Sequence, residues 1–171
     1  MTLQDGIRIV LIGAGATAVM DLWLTLLGRL GVPTLNFAFI GRWVGHLLQG
    51  RWRHEAIGKS PPIAGERLWG WLTHYAVGVM FAAWLVGLHG VSWMQAPTLT
   101  PALALGVVTV LIPLFVMQPS MGAGFAASKT PTPWQNRLRS LLNHTVFGLG
   151  LYAAAWLLEA IAHGAGLPDI L

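Results

Sequence analysis

The sequence predicts an all-α integral membrane protein with four transmembrane helices and a short interfacial helix in the first cytoplasmic loop. Hydrophobic residues make up 55% of the 171-residue chain and charged residues only 9%, whereas soluble domains carry about 25% charged residues. The 61 residues between Arg67 and Lys129 contain no Asp, Glu, Lys or Arg, which is room for two spans of about 20 residues. Two more long apolar segments lie outside that gap, at 9–28 and 140–158.

We expect a single membrane domain, 1–171, because no linker divides the chain. We interpret the first span as permanent and not as a signal peptide. It lacks a basic n-region, is longer than a signal-peptide apolar region and contains Asp21. The four spans are predicted near residues 7–30, 69–91, 99–125 and 138–162.

The basic residues predict the orientation of these spans. Nine of the ten fall at 29–67 or 129–139, and an excess of Lys and Arg is typical of cytoplasmic loops. We therefore expect both of those loops in the cytoplasm and both termini outside. The net charge of +4 then reflects topology, so the lipid bilayer and not nucleic acid is the expected partner. The absence of cysteine excludes disulfides, thiolate metal sites and thiol chemistry.

An internal repeat relates the two halves of the chain. "SPPIAGERLWGWLTHYAVG" at 60–78 aligns without a gap on "TPTPWQNRLRSLLNHTVFG" at 130–148, and upstream "VMD" at 19–21 is paired with "VMQ" at 116–118. We interpret this as two tandem helical hairpins of the same orientation, a parallel repeat about an axis along the membrane normal. The alternative is a chance similarity between two helices rich in Leu, Ala and Gly.

The repeat places His74 and His144 at the same depth on the second and fourth spans. Ionisable groups at membrane depth are costly and usually face the bundle interior, so they indicate a functional site. The alternative is two histidines that only hydrogen-bond neighbouring helices. We expect a polar pocket in the cytoplasmic half of the bundle, formed by Asp21, His74, Gln118 and His144, with Met117, Met121, Tyr75 and Asn143 around them.

Two other segments complete this prediction. In the third span, Pro113 and Pro119 cannot donate backbone hydrogen bonds, so a broken helix is expected. The segment 35–50 is predicted to form an amphipathic helix in the membrane interface, with Arg42 and His46 on its polar face. The predicted cytoplasmic rim of the pocket consists of Arg42, His46, Arg67 and Arg137.

Four stretches carry a resemblance to a known family. They are "GATAVMDLW" (15–23), "LNFAFIGRWVGH" (35–46), "GERLWGWLTHYAVG" (65–78) and "MQPSMGAGFAASKTP" (117–131), of which the last is the most specific. In these the chain resembles, end to end, an uncharacterised family of small bacterial inner-membrane proteins known only as a domain of unknown function. The resemblance implies a four-span protein of the bacterial inner membrane. It implies no activity and no catalytic residues.

Three functions from different classes are compatible with these observations. The first is binding or translocation of a small solute or ion through the polar pocket, where four spans would favour a homo-oligomer. The second is a redox site, with His74 and His144 as ligands of a haem or of a metal ion such as copper bound by Met and His. The third is a partner or assembly protein of another membrane protein. An enzyme is the least supported, because no nucleophile–base pair or metal motif stands out.

Overall fold

The computed structural model of the protein describes residues 1–164, and within them it consists of helices joined by turns and loops. Four helical segments are long and apolar enough to cross a membrane, so the sequence prediction of four spans is confirmed. The spans are α1 (Leu3–Arg29), α3 (Glu66–His89), the segment Leu99–Met121 and α7 (Pro133–Gly164). The segment Leu99–Met121 contains α5 (Leu99–Thr109) and α6 (Gln118–Met121), while α2 (Phe37–Leu48) and α4 (Ser92–Gln95) lie between spans.

The helix ends differ from the predicted boundaries by a few residues, for local reasons. α1 begins early because Thr2 and Asp5 form a capping box: the Thr2 hydroxyl accepts from the Asp5 N–H, and the Asp5 carboxylate from the Thr2 N–H. α7 begins at Pro133, whose fixed φ suits a first helical position. The third span ends at Met121 because Gly122 adopts a left-handed φ of 95°.

The third span is broken, as its prolines predicted. α5 ends at Thr109, and a π turn follows at Pro113–Met117 before α6. The N–H of Gln118 donates to the carbonyl of Pro113, five residues earlier. A π turn takes one residue more than an α turn, and such turns are frequent at functional sites.

The spans form a bundle in which α7 packs against α1 and α5, and α1 packs also against α3. Glycines allow the close contacts. A Cβ atom on Gly78 of α3 would lie 2.0 Å from the Thr17 hydroxyl of α1, and one on Gly148 of α7 would lie 2.9 Å from the carbonyl of Ala102 in α5. Each of these glycines therefore joins the second helix of a hairpin to the first.

An apolar core fills the half of the bundle near the α3–α5 connection. Phe81 of α3 meets Phe147 of α7 edge to face, with ring centroids 5.9 Å apart, at the inner end of this core. Around the outside of the spans, large apolar side chains are exposed, as a lipid-facing surface requires. The most buried core residues include Ile12, Ala16, Ala82, Leu85, Met94, Ala102, Leu151 and Ala155.

α2 is docked on α3 through direct backbone contact. A Cβ atom on Gly41 would lie 1.8 Å from the carbonyl of Glu66, and one on Gly70 would lie 1.9 Å from the carbonyl of Phe37. Arg42 is buried in this contact and binds the Glu66 carboxylate through Nε and Nη2, each at 2.8 Å. The face of α2 that was expected to be polar and solvated is thus its packing face.

Candidate functional site

A cavity of about 460 Å³ opens in the half of the bundle opposite the apolar core. All four spans contribute to its wall, together with the segment 33–40, which includes the start of α2, and the loop at 123–130. Six of the eight predicted pocket residues line it: His74, Met117, Gln118, Met121, Asn143 and His144. Its other lining groups are mainly apolar, among them Met20, Leu24, Val77, Phe81, Ile112 and Phe147.

Asp21 and Tyr75, the other two predicted pocket residues, lie behind the cavity wall and bind each other. The Asp21 carboxylate accepts from Nε2 of His74 at 3.0 Å and from the Tyr75 hydroxyl at 2.9 Å. Asp21 and His74 are mostly buried, with 17% and 11% of their side chains exposed. The Phe37 ring packs on His74 at a centroid distance of 4.5 Å. The carboxylate therefore fixes the orientation of the imidazole and leaves Nδ1 as its other polar atom.

His144 is held by a different partner on the opposite wall. Its Nδ1 lies 3.0 Å from the hydroxyl of Thr109, which donates its own proton to the carbonyl of Gly106 at 2.7 Å. A hydroxyl has one proton to donate, so with Gly106 as the acceptor of that proton Nδ1 of His144 is the donor to Thr109. In the neutral ring with this tautomer, Nε2 is the acceptor nitrogen that a ligand can meet; the other tautomer, in which Thr109 donates to Nδ1, would present Nε2 as a donor.

Amide side chains lie beside the two histidines. Asn143 accepts from the Trp23 indole at 3.0 Å, and the Gln118 amide donates to Ser140 at 3.4 Å. The carbonyl oxygen of the Gln118 side chain is buried without a hydrogen-bond partner among residues 1–164. Buried polar atoms are rarely left unpaired, so this oxygen marks a position where a ligand donor or a water would bind.

None of the predicted rim residues lines the cavity. Arg42 is used in the contact of α2 with α3, and His46 is buried beside His54, with 2.8 Å between Nδ1 of His46 and Nε2 of His54. Arg137 donates to the carbonyl of Ala126 at 2.7 Å and holds the loop before α7. Arg67 is exposed at the start of α3. The basic rim was inferred from charge and depth alone, which do not show the direction of a side chain.

Sequence reasoning missed the basic residue that does line the cavity. Arg139 and its neighbours Asn136 and Ser140 belong to the lining. A signal was present, because residues 136, 139, 140, 143, 144 and 147 recur at the three- and four-residue spacing of one helix face. The alignment of the repeat drew attention to Arg137 in place of Arg139.

The surroundings of His74 and His144 bear on the haem and metal hypotheses. Within residues 1–164, no three His, Asp or Glu side chains lie close enough together to hold a metal ion. A haem bound by the two histidines would have to bind His74 through Nδ1, because Nε2 of that ring binds Asp21. Gly78 and Gly148, which follow the two histidines by one helical turn, are packed against α1 and α5.

Comparison with known proteins decides the family. The family described as "Protein of unknown function (DUF2938)" matches residues 10–158. The chain belongs to the DUF2938 family. This match includes the second and third spans, most of the first and fourth, and every residue of the candidate site. No curated protein matches the chain, and no solved structure matches it.

The contact between His46 and His54 in this DUF2938 chain predicts that the stability of α2 depends on pH. Burial, and after it the positive charge of Arg51, lowers the pKa of His46. His54 and Arg42 also face this ring and oppose its protonation. Because the pKa of His46 is lower in the folded than in the unfolded protein, its contribution to stability is fully present above the unfolded pKa of about 6.5. The contribution declines as the pH falls below that value, because the unfolded protein then binds the proton more readily.

We therefore expect amide hydrogen exchange of α2 to accelerate, after correction for intrinsic rates, when the pH is lowered from about 7.5 to about 5. The variant His46→Leu, which cannot titrate, should lose most of this pH dependence. An equal pH dependence in the variant would show that other groups cause it.

Proposed function

We propose that this membrane protein binds a small organic solute in the cavity between its four spans. The observation that carries the proposal is the cavity itself, about 460 Å³ in volume and lined by apolar side chains with a few convergent polar groups. Ligand sites in proteins have this volume and this composition. His74, His144, Gln118 and Asn143 supply the polar groups, and their partners behind the wall hold them in place.

The lining favours an organic solute over an inorganic cation. Hard cations take six or more oxygen ligands, usually with carboxylates among them, and no carboxylate lines this cavity among the described residues. Its mainly apolar wall offers an organic molecule contact area that a hydrated ion would not use. Asp21, whose partner His74 lines the cavity, is already bound by His74 and Tyr75.

Translocation of the solute is the further part of this proposal. The apolar core closes the bundle beyond Phe81 and Phe147, so a solute bound in the cavity has access from one side. Movement to the other side would need the two hairpins to rock against each other, as in transporters built from repeats. The matching contacts of Gly78 with residues 13 and 17, and of Gly148 with residues 102 and 106, support such a repeat.

The membrane and the orientation follow from the distribution of charge. The cavity lies at the end of the bundle where nine of the ten basic residues are found. By the positive-inside rule this is the cytoplasmic end. We propose that the protein resides in a bacterial inner membrane with its cavity facing the cytoplasm and both termini outside.

A cavity-filling variant tests solute binding. Ser140 lines the cavity, and Leu142 on the same helix is 43% exposed on the outside of the bundle. Phenylalanine at position 140 would occupy the space of a ligand, whereas phenylalanine at position 142 would face lipid. Native mass spectrometry of protein purified gently in nanodiscs should show a bound small molecule on the wild type and on Leu142→Phe, and its loss from Ser140→Phe.

Two results would contradict the proposal. An adduct that persists in Ser140→Phe would lie outside the cavity. A clean mass with lipid alone in all three proteins would favour a membrane partner function, in which the polar residues only fasten the helices together.

A further inference from the structure

We propose that the ligand of this cavity is an amphipathic oxyanion, a molecule with an apolar body and one carboxylate or phosphate group, and that Arg139 binds the anionic group. This inference rests on the proposed function and adds the chemical class of the solute. It comes from the distribution of charge around the cavity, from the free guanidinium of Arg139 and from the apolar floor.

The cavity wall carries basic groups without acidic ones. Arg139, His74 and His144 line it, and no Asp or Glu does among residues 1–164. The carboxylates of the spans have other partners: Asp21 binds His74 and Tyr75, and Glu66 binds Arg42. An anion entering the cavity would therefore meet the positive charge of Arg139 and no carboxylate in the wall.

Arg139 differs from the three arginines whose guanidinium groups bind other residues of the bundle. Arg8 pairs with Glu159, Arg42 with Glu66, and Arg137 donates to the carbonyl of Ala126. Arg139 is half-buried against the cavity and has no hydrogen-bond or ion-pair partner within the described part of the chain. A guanidinium stays charged in proteins, and its planar fork binds a carboxylate or phosphate through two parallel hydrogen bonds. The group that would complete the hydrogen bonding of Arg139 is therefore a carboxylate or a phosphate.

The remaining surface of the cavity defines the rest of the ligand. Asn136, three residues before Arg139 on α7, lines the same wall; its amide donates one N–H to the Thr130 hydroxyl at 2.9 Å and has a second N–H for a ligand. Towards the bundle centre, the wall becomes apolar and ends at Phe81 and Phe147. A ligand that satisfied both ends would place its anionic group at Arg139 and its apolar body against the two rings.

Three matched fluorinated probes test this inference by ¹⁹F NMR on protein in phosphatidylcholine nanodiscs. They are 4-fluorophenylacetate, 2-(4-fluorophenyl)ethanol and 2-(4-fluorophenyl)ethylamine, which share a ring and differ in charge. Empty nanodiscs correct for partition into lipid. We expect the acid to bind most tightly and the amine most weakly, and Ser140→Phe to abolish binding of the acid.

Arg139→Gln should weaken binding of the acid about tenfold, the effect of losing a charge-assisted hydrogen bond, and change binding of the alcohol less than about twofold. Arg139→Lys should restore part of the loss because it keeps the charge. The control Arg29→Gln removes an exposed positive charge at the same end of the bundle and should leave all three affinities unchanged.

Nanodiscs that contain phosphatidylglycerol distinguish the two sources of the anion. Competition of this lipid with the acid probe would identify an anionic lipid as the ligand, and the absence of competition would identify a free solute.

The two proposals fail in different ways. If the alcohol or amine binds as tightly as the acid, or Arg139→Gln changes nothing while Ser140→Phe still abolishes binding, the cavity holds solutes and the anionic inference is wrong. If Ser140→Phe changes the binding of none of the probes, the cavity is not their site and the proposed function fails as well.

Discussion

Glu66→Leu should destabilise the packing of α2 on α3 by about 3 kcal/mol, because it leaves the guanidinium of Arg42 buried without its counter-ion. The two side chains are only 11% and 19% exposed, and two hydrogen bonds of 2.8 Å join them. A third group of Arg42, Nη1, reaches the carbonyls of Ile57 and Ser60 at 3.2 and 3.0 Å. One ion pair therefore fixes α2, the start of α3 and the loop between them.

The double variant Arg42→Met/Glu66→Leu provides the control for this prediction. Replacement of both partners by apolar groups removes the uncompensated charge, so we expect the double variant to be more stable than Glu66→Leu alone. Hydrogen exchange of residues 37–48 in nanodiscs measures the local opening free energy. Equal or greater exchange in the double variant would show that the pair contributes chiefly through its contacts to the loop carbonyls.

Gly106→Leu should separate α5 from α7, at a cost of about 2–3 kcal/mol typical of overpacking. A Cβ atom on Gly106 would lie 2.6 Å from both the Cα of Gly148 and the carbonyl of His144. These are backbone atoms, which cannot turn away as a flexible side chain can. Because Thr109 lies on the same helix, the hydrogen bond that orients His144 should be lost together with the packing.

Gly87→Leu is the matched control, since Gly87 is also a glycine within a span but has no atom within 4 Å of an added Cβ. Unfolding in mixed micelles of increasing dodecyl sulfate content measures the stability of both variants. We expect a lower midpoint for Gly106→Leu and a midpoint near that of the wild type for Gly87→Leu. The same midpoint for both variants would mean that α5 can move away from α7 without loss.

The spans were predictable because lipid allows few alternatives. A membrane-spanning segment must satisfy its own backbone and show an apolar surface over about 20 residues, and both requirements are visible in composition. The break of the third span followed from Pro113 and Pro119 in the same way. The π turn itself did not, because proline removes a donor without deciding which longer hydrogen bond replaces it.

The side of α2 that packs could not be predicted from its pattern. Alternation of apolar residues with Arg42 and His46 describes a polar face equally well whether that face meets water or a partner. The partner is Glu66, 24 residues further along the chain, and no local pattern connects the two. The glycines Gly41 and Gly70 were the available signal, because they allow the helices to touch at their backbones.

Most of the pocket residues that the sequence indicated do line the cavity, but few of their partners were predicted. The spacing of His74 and His144 from the basic ends of their helices placed both at one level, and both line the cavity. Thr109 was missed because a threonine in an apolar helix gives no sign that it will bind a ring. The sequence alignment paired Asp21 with Gln118 in the first helices of the two hairpins. The glycine contacts instead match residue 13 with residue 102, and in this register the equivalent of Asp21 lies eight residues before Gln118.

The contact between the first and last spans has a consequence for biosynthesis. α1 is synthesised before α7, although α7 is one of the two spans on which it packs most closely. Arg8, which the finished bundle buries beside Glu159, has no counter-ion until then. The hairpin of α1 and α3 therefore lies in the bilayer without its contacts to α7 until the fourth span is inserted. Translation must reach the end of the fourth span before the bundle can close.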